Sequence, residues 1–147
     1  MTFRAARITV LLFPFLAPLG ALAFDTSTMQ GPDLSGPRAA IAAKDYAAAI
    51  AALQPIAAST GHADAYSLLG FALRKSGQRE AAMVAYDKAL TLNPRHRGAL
   101  EYQGELFIQL GQIDRARQNL ATLDDLCPTG CEEQEDLREA IEHAAGR

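Results

Sequence analysis

Two stretches of this chain carry one pattern written twice, 34 residues apart. Setting residues 63–94 over residues 97–128 places Tyr66 on Leu100, Gly70 on Gly104, Leu73 on Phe107 and Gly77 on Gly111, then Ala82 on Ala116, Tyr86 on Leu120 and Pro94 on Pro128. An offset held over seven positions, two of them Gly and one Pro, is the trace of a tandem structural unit, and it restricts the fold to architectures made by stacking that unit. Within the unit, Tyr66, Leu69, Gly70 and Leu73 fall at i, i+3, i+4 and i+7, one face of a helix. Gly70 is small enough to let a neighbouring helix approach closely. Gly77 supplies the turn that ends this helix. Ala82, Tyr86 and Ala89 continue the stripe on a second helix, which Asn93-Pro94 terminates. Each unit is therefore expected to be a hairpin of two antiparallel helices, and the fold all-α.

The flanks extend the pattern. In residues 44–59, Tyr46, Ala49, Leu53 and Ile56 repeat the second helix of the unit, but Ala49 lies 33 residues before Ala82, so the register slips by one. The helix before it, near residues 38–43, is short and lacks its Gly, which makes residues 38–60 a degenerate opening repeat. After the last full unit, Leu137, Ala140, Ile141 and Ala144 form one more apolar stripe with charges on the other faces. Residues 130–145 are read as a C-terminal capping helix, which covers the last open face of a repeat array. Thr129, three residues before Glu132, reads as a capping box that starts it.

With Leu-Gly, an aromatic, Ala, an aromatic, Ala and Pro at this 34-residue spacing, residues 63–94 resemble the tetratricopeptide-repeat (TPR) family. The resemblance implies a TPR-type solenoid of helical hairpins over residues 38–145, about seven helices in all with repeats at 63–96 and 97–128, whose first helices line a concave groove for an extended peptide or a helix. Tyr66 stands where the family usually has Trp, and Gln103 and Leu123 replace an apolar and a small residue. Outward positions on the first helices include Phe71, Arg74 and Lys75 of one unit and Glu101, Tyr102 and Glu105 of the next, with Asp64, Ser67 and Gln109 beside them. These six are the candidate partner-binding residues, a surface of mixed charge with two aromatics that suits a polar peptide with an apolar anchor. The clamp with which the family holds C-terminal carboxylates uses Lys and Asn at fixed places. Lys75 matches one, but Phe71 occupies an Asn position, so that clamp is not expected.

The N-terminus reads as an address. Residues 1–23 carry Arg4 and Arg7, an apolar run and then Ala21-Leu22-Ala23, the pattern of a secretory signal peptide cleaved before Phe24. Pro14 and Pro18 interrupt a run already short for a bilayer span. Residues 24–37, rich in Gly, Pro, Ser and Thr, are read as a linker. The mature protein is thus expected in the periplasm or outside the cell, with no membrane anchor. The full chain has a formal charge of −3, and loss of Arg4 and Arg7 leaves 12 basic against 17 acidic residues, or −5. That balance disfavours nucleic acid or an anionic membrane as the main partner, since both demand a positive field.

Catalytic motifs are missing: no Gly-rich phosphate loop, no His-Glu-x-x-His and no nucleophile elbow. His62 and His96 fall at repeat junctions and His143 in the cap, none with a nucleophile or carboxylate at a suggestive spacing, and all three are read as surface residues. Glu101 and Glu105, one helical turn apart, are read as a solvated face, with a ligand-binding face as the alternative. No cofactor and no metal site is expected. Cys127 and Cys131 are the chain's two cysteines, and in an exported protein the first reading is a disulfide that clamps the turn into the capping helix. The alternative is a thiol- or metal-handling pair. Against it, three intervening residues differ from the Cys-x-x-Cys of oxidoreductases, and Glu132, Glu133, Glu135 and Asp136 oppose thiolate formation.

Three functions remain from the sequence. The first is a non-enzymatic adaptor that holds a protein or peptide in its groove. The second is a thiol- or metal-handling protein using Cys127 and Cys131. The third is a structural subunit of an envelope complex. Self-association by stacking of so short an array is left open.

Overall fold

The structure, a computed structural model, describes residues 31–146. The expected signal peptide and most of the expected linker lie outside the described residues. Among these residues seven helices follow one another: α1 (Ser35–Ala42), α2 (Tyr46–Thr60), α3 (Ala63–Lys75), α4 (Arg79–Leu92), α5 (Arg97–Gln109), α6 (Ile113–Leu126) and α7 (Glu132–Ala145). They pack in consecutive pairs. The odd-numbered helices also touch one another in order, α1 on α3, α3 on α5 and α5 on α7, while the even-numbered ones do not. The odd helices thus form a continuous inner layer, and α2, α4 and α6 an outer one.

The repeated residues do the work their spacing implies. Gly77 and Gly111 end α3 and α5 with φ of +85° and +72°, a left-handed backbone that a side chain resists. The equivalent turn after α1 is made by Lys44 at φ +59°, the sole non-glycine with positive φ among the described residues. Lys44 lies 33 residues before Gly77, so the slipped register of the opening repeat carries a real cost: an L-residue there loses roughly 1–2 kcal/mol. Gly70 faces Tyr86 across the α3–α4 hairpin so closely that a Cβ would stand 2.5 Å from its ring. Gly104 faces Leu137 of α7 in the same manner, at 2.6 Å. The first contact closes a hairpin; the second draws the capping helix onto the inner layer.

The core is made of Ala and Leu, as a chain with no Trp requires. One cluster joins α1 to α4, with Ala49, Leu53, Ala72, Leu73, Ala82 and Tyr86 at its centre. A second joins α4 to α7 through Leu100, Phe107, Leu123, Leu137 and Ile141. Each fully buried Leu contributes about 1.5–3 kcal/mol of transfer free energy. Gln103, at a position the family fills with an apolar residue, is buried but satisfied: its amide donates to Asp87 Oδ1 at 2.8 Å and accepts from Asn119 at 3.1 Å.

Two local expectations are corrected. Helix α1 begins at Ser35 rather than Arg38, so the last residues of the expected linker are helical. Leu34 and Pro37 are buried, and Pro37 falls in the first turn, where its missing N–H is no loss. The capping box from Thr129 does not form either: Cys131 is the N-cap of α7, which starts at Glu132, and no side chain caps it. Three acidic residues in the first turn, Glu132, Glu133 and Glu135, instead stabilise that end against the helix dipole.

Candidate functional site

Inner-layer side chains come mainly from α3, α5 and α7, with α1 contributing an edge. Phe71 and Tyr102, one from each of two adjacent inner helices, stack with ring centroids 4.9 Å apart and tilted by 56°. Tyr46 meets Phe71 edge-on at 6.5 Å. All three are half-buried. Ile41, Ala42 and Leu68 continue the aromatic floor into a groove of about 230 Å3, with Arg38 at its rim. Lys75 is exposed and its Nζ lies 5.3 Å from the Phe71 centroid, so a cation stands over the aromatic face.

Arg74 departs from the outward position expected of it. It is 5% exposed, its Nε donates to the buried Tyr86 hydroxyl at 3.4 Å, its guanidinium lies 5.6 Å from the Phe71 ring, and its Nη2 is paired with Glu105. Burial pushes the Tyr86 hydroxyl well above the ordinary phenol range, so it stays a neutral acceptor for that guanidinium. Arg74 is accordingly a strut between α3, α4 and α5. Ser67 is buried too.

Glu101 and Glu105 do not form the solvated face expected of them. Glu101 is 7% exposed, and Glu105 carries the ion pair to Arg74. Burial first, then the charges of Glu105, Asp136 and Glu133, raise the Glu101 carboxyl to about 8, with Arg74 acting in the opposite sense. The cause is visible in the packing. Gly104, three residues on from Glu101, admits Leu137, and the helix it admits covers the carboxyl and brings its own acids beside it. The same negative charges, after burial, raise the Tyr102 hydroxyl.

Between α3, α5 and α7 lies a cleft of about 480 Å3, lined by Arg74, Glu105, Asp136 and Glu139 with Ile108 and Ala140 as its apolar wall and His143 at its edge. The other two histidines are structural. His62 caps α3 and His96 caps α5, each through its Nδ1. Because His96 Nδ1 accepts from the Ala99 N–H at 3.0 Å, its Nε2 carries the proton and donates to Asp64 Oδ1 at 2.7 Å. His96 therefore has the carboxylate partner that the sequence did not suggest, 32 residues away at the head of the previous repeat. It ties two inner helices together.

Cys127 and Cys131 are joined in a disulfide with Cα atoms 5.8 Å apart, bridging the end of α6 and the start of α7. Cys127 is buried at 6% exposure, and Arg97, which reaches its sulfur at 4.0 Å, also pairs with Glu133 at 3.5 Å. Among the described residues no three His, Cys, Asp or Glu side chains are placed to hold a metal ion.

Paired helices in two layers, with Gly at the close approach and a 34-residue register, are the geometry of one known repeat. Residues 63–96 are a tetratricopeptide repeat. The match covers α3, α4 and the junction through His96. Domains of this kind generally mediate protein–protein interaction and are generally not catalytic. No characterised protein matches the chain. Among the described residues, no helix is long and apolar enough to cross a membrane.

Proposed function

We propose that this protein is an adaptor that holds a segment of another protein against its inner layer, and that it works after export, in the periplasm or outside the cell. The observation that carries the binding reading is the stacked pair Phe71–Tyr102. Two large aromatic rings at the surface of adjacent inner helices, extended by Tyr46 and Leu68 and flanked by the cations of Lys75 and Arg38, offer an apolar anchor point inside a polar rim. Interfaces concentrate their binding energy on such aromatic centres, where truncation typically costs 2 kcal/mol or more. Lys75 and Tyr102 stand at the groove, while Arg74 and Glu105 hold its wall in place and act on a partner only through that wall.

Export is supported by the basic, apolar and small-residue order of residues 1–23 and by a disulfide that an oxidising compartment would keep closed. The thiol-handling alternative finds little support, because the burial of Cys127 shields it from an incoming thiol and its partner starts a helix crowded with carboxylates. Capture of partners by the tagged full-length chain, expressed in its own host and cross-linked before lysis, tests the reading. Phe71→Ala and Tyr102→Ala should each reduce the captured partner roughly 30-fold at limiting concentration, the equivalent of about 2 kcal/mol. Equal capture by wild type and both variants would remove the aromatic pair from the function. N-terminal sequencing of the same protein should start at Phe24; a start at Met1 or Thr2 would count against export.

A further inference from the structure

The aromatic groove uses only half of the inner layer. The other half is acidic, and its charges are not balanced. α5 carries Glu101 and Glu105 one turn apart, and α7, packed beside it, carries Glu133, Asp136 and Glu139 at intervals of three residues along one side. Glu105 is paired with Arg74 and Glu133 with Arg97. Glu101, Asp136 and Glu139 make no ion pair among the described residues. In the cleft, Glu105, Asp136 and Glu139 set three carboxylates against one guanidinium, and that guanidinium is fixed below the surface by Tyr86 and Glu105.

Glu101 adds a second and independent observation. Its side chain is more than nine-tenths buried, yet no donor among the described residues hydrogen-bonds to it. Buried carboxyls are ordinarily matched with a donor or a cation, because leaving one unmatched costs several kcal/mol. The charges that act on it are those of Glu105, Asp136, Glu133 and Arg74, two of the cleft's carboxylates and its one cation among them. An arriving cation would relieve the repulsion within the cleft and the exposure of Glu101 to it together. The wall of Ile108 and Ala140 suits an alkyl stem that ends in charge, the form of lysine and arginine.

We propose that the cleft between α5 and α7 receives a lysine or arginine side chain of the bound segment, its stem along Ile108 and Ala140 and its charged head among Glu105, Asp136 and Glu139. The inference rests on the inner layer being the partner-binding face and adds the chemistry of the partner: a basic segment with an apolar anchor nearby. The two subsites adjoin, since Phe71 lies one helical turn before Arg74, which forms the cleft wall. Charge-assisted hydrogen bonds to carboxylates supply the discrimination.

Fluorescence anisotropy with the full chain tests this, using three pools of fluorescein-labelled dodecapeptides. Each pool has a fixed phenylalanine and small neutral residues elsewhere, and the pools differ only in whether one further, variably placed residue is lysine, norleucine or glutamate. The lysine pool should bind about 10-fold more tightly than the norleucine pool, the equivalent of about 1.4 kcal/mol, and the glutamate pool most weakly. In the double variant Asp136→Asn, Glu139→Gln, both at exposed positions, the lysine preference should fall to about 2-fold or less while norleucine binding persists. Equal binding of lysine and norleucine pools, still weakened by Phe71→Ala, overturns the cation site and leaves the aromatic groove standing. A lysine preference that survives the double variant overturns the cleft as its location. Failure of all three pools to bind overturns both readings.

Discussion

Replacing Glu101 by Gln isolates the one buried carboxyl of the inner layer. The change keeps shape and hydrogen-bonding capacity and removes only the titration. In the folded protein the carboxyl is raised from 4.5 to about 8, with burial the largest cause, followed by the charges of Glu105, Asp136 and Glu133. Between those two values the folded state keeps a proton that the unfolded chain has already lost. Stability must therefore fall as pH rises from about 4.5 to about 8, and the penalty is complete above that window and absent below it. Each pH unit of such a displacement is worth about 1.4 kcal/mol, which sets a ceiling of about 5 kcal/mol. Solvent reaching the carboxylate oxygens through the adjoining clefts lowers the working figure to on the order of 2 kcal/mol. Urea unfolding followed by circular dichroism at pH 5, 7 and 9, on wild type and Glu101→Gln side by side, reads it directly. The variant should match wild type within about 1 kcal/mol at pH 5 and exceed it by about 2 kcal/mol at pH 9. Parallel pH profiles, or a variant less stable at pH 9, would refute the argument that α7 seals Glu101 without a partner.

Other perturbations probe the scaffold. Gly70→Ala should lower stability by about 1–3 kcal/mol in the same urea assay, since the new Cβ displaces the fully buried Tyr86 ring and that overpacking outweighs the gain in helix propensity. Lys44→Gly should raise it by roughly 1 kcal/mol, because only the opening repeat makes its turn with an L-residue at positive φ; a loss would mean that the Lys44 side chain contributes more than its backbone costs. The double variant Cys127→Ser, Cys131→Ser should cost about 2 kcal/mol or less, the loop being short, and should leave peptide anisotropy within about 2-fold of wild type. Loss of binding without loss of helicity would revive a functional role for the pair.

Repeat spacing made the helices legible because the positions that carry it are the ones helix packing cannot vary: Gly70 and Gly104 at close approaches, Gly77 and Gly111 at left-handed turns, Ala82 and Ala116 in the core. Even the slip of the opening repeat had a physical correlate in Lys44. The site was less legible. Periodicity places Arg74, Glu101 and Glu105 on the inner face of their helices but does not say how near the next helix comes. That distance is set by Gly104 and Leu137, on different elements, and it turns an apparently solvated acid into a buried one. The Asp64–His96 contact was hidden for the same reason, being formed between successive repeats. Thr129 failed as a capping residue because the disulfide holds the chain so that Cys131 enters α7 in extended conformation at the N-cap.

The central claim is that the inner layer, and not the outer one, carries the partner. A photo-crosslinking amino acid placed at Lys75, exposed on α3, or at Lys88, exposed on α4, measures this inside the producing cell. The account predicts a discrete crosslinked adduct from position 75 that disappears with Phe71→Ala, and none from position 88. An adduct from position 88 alone, or one from position 75 indifferent to Phe71→Ala, would contradict it.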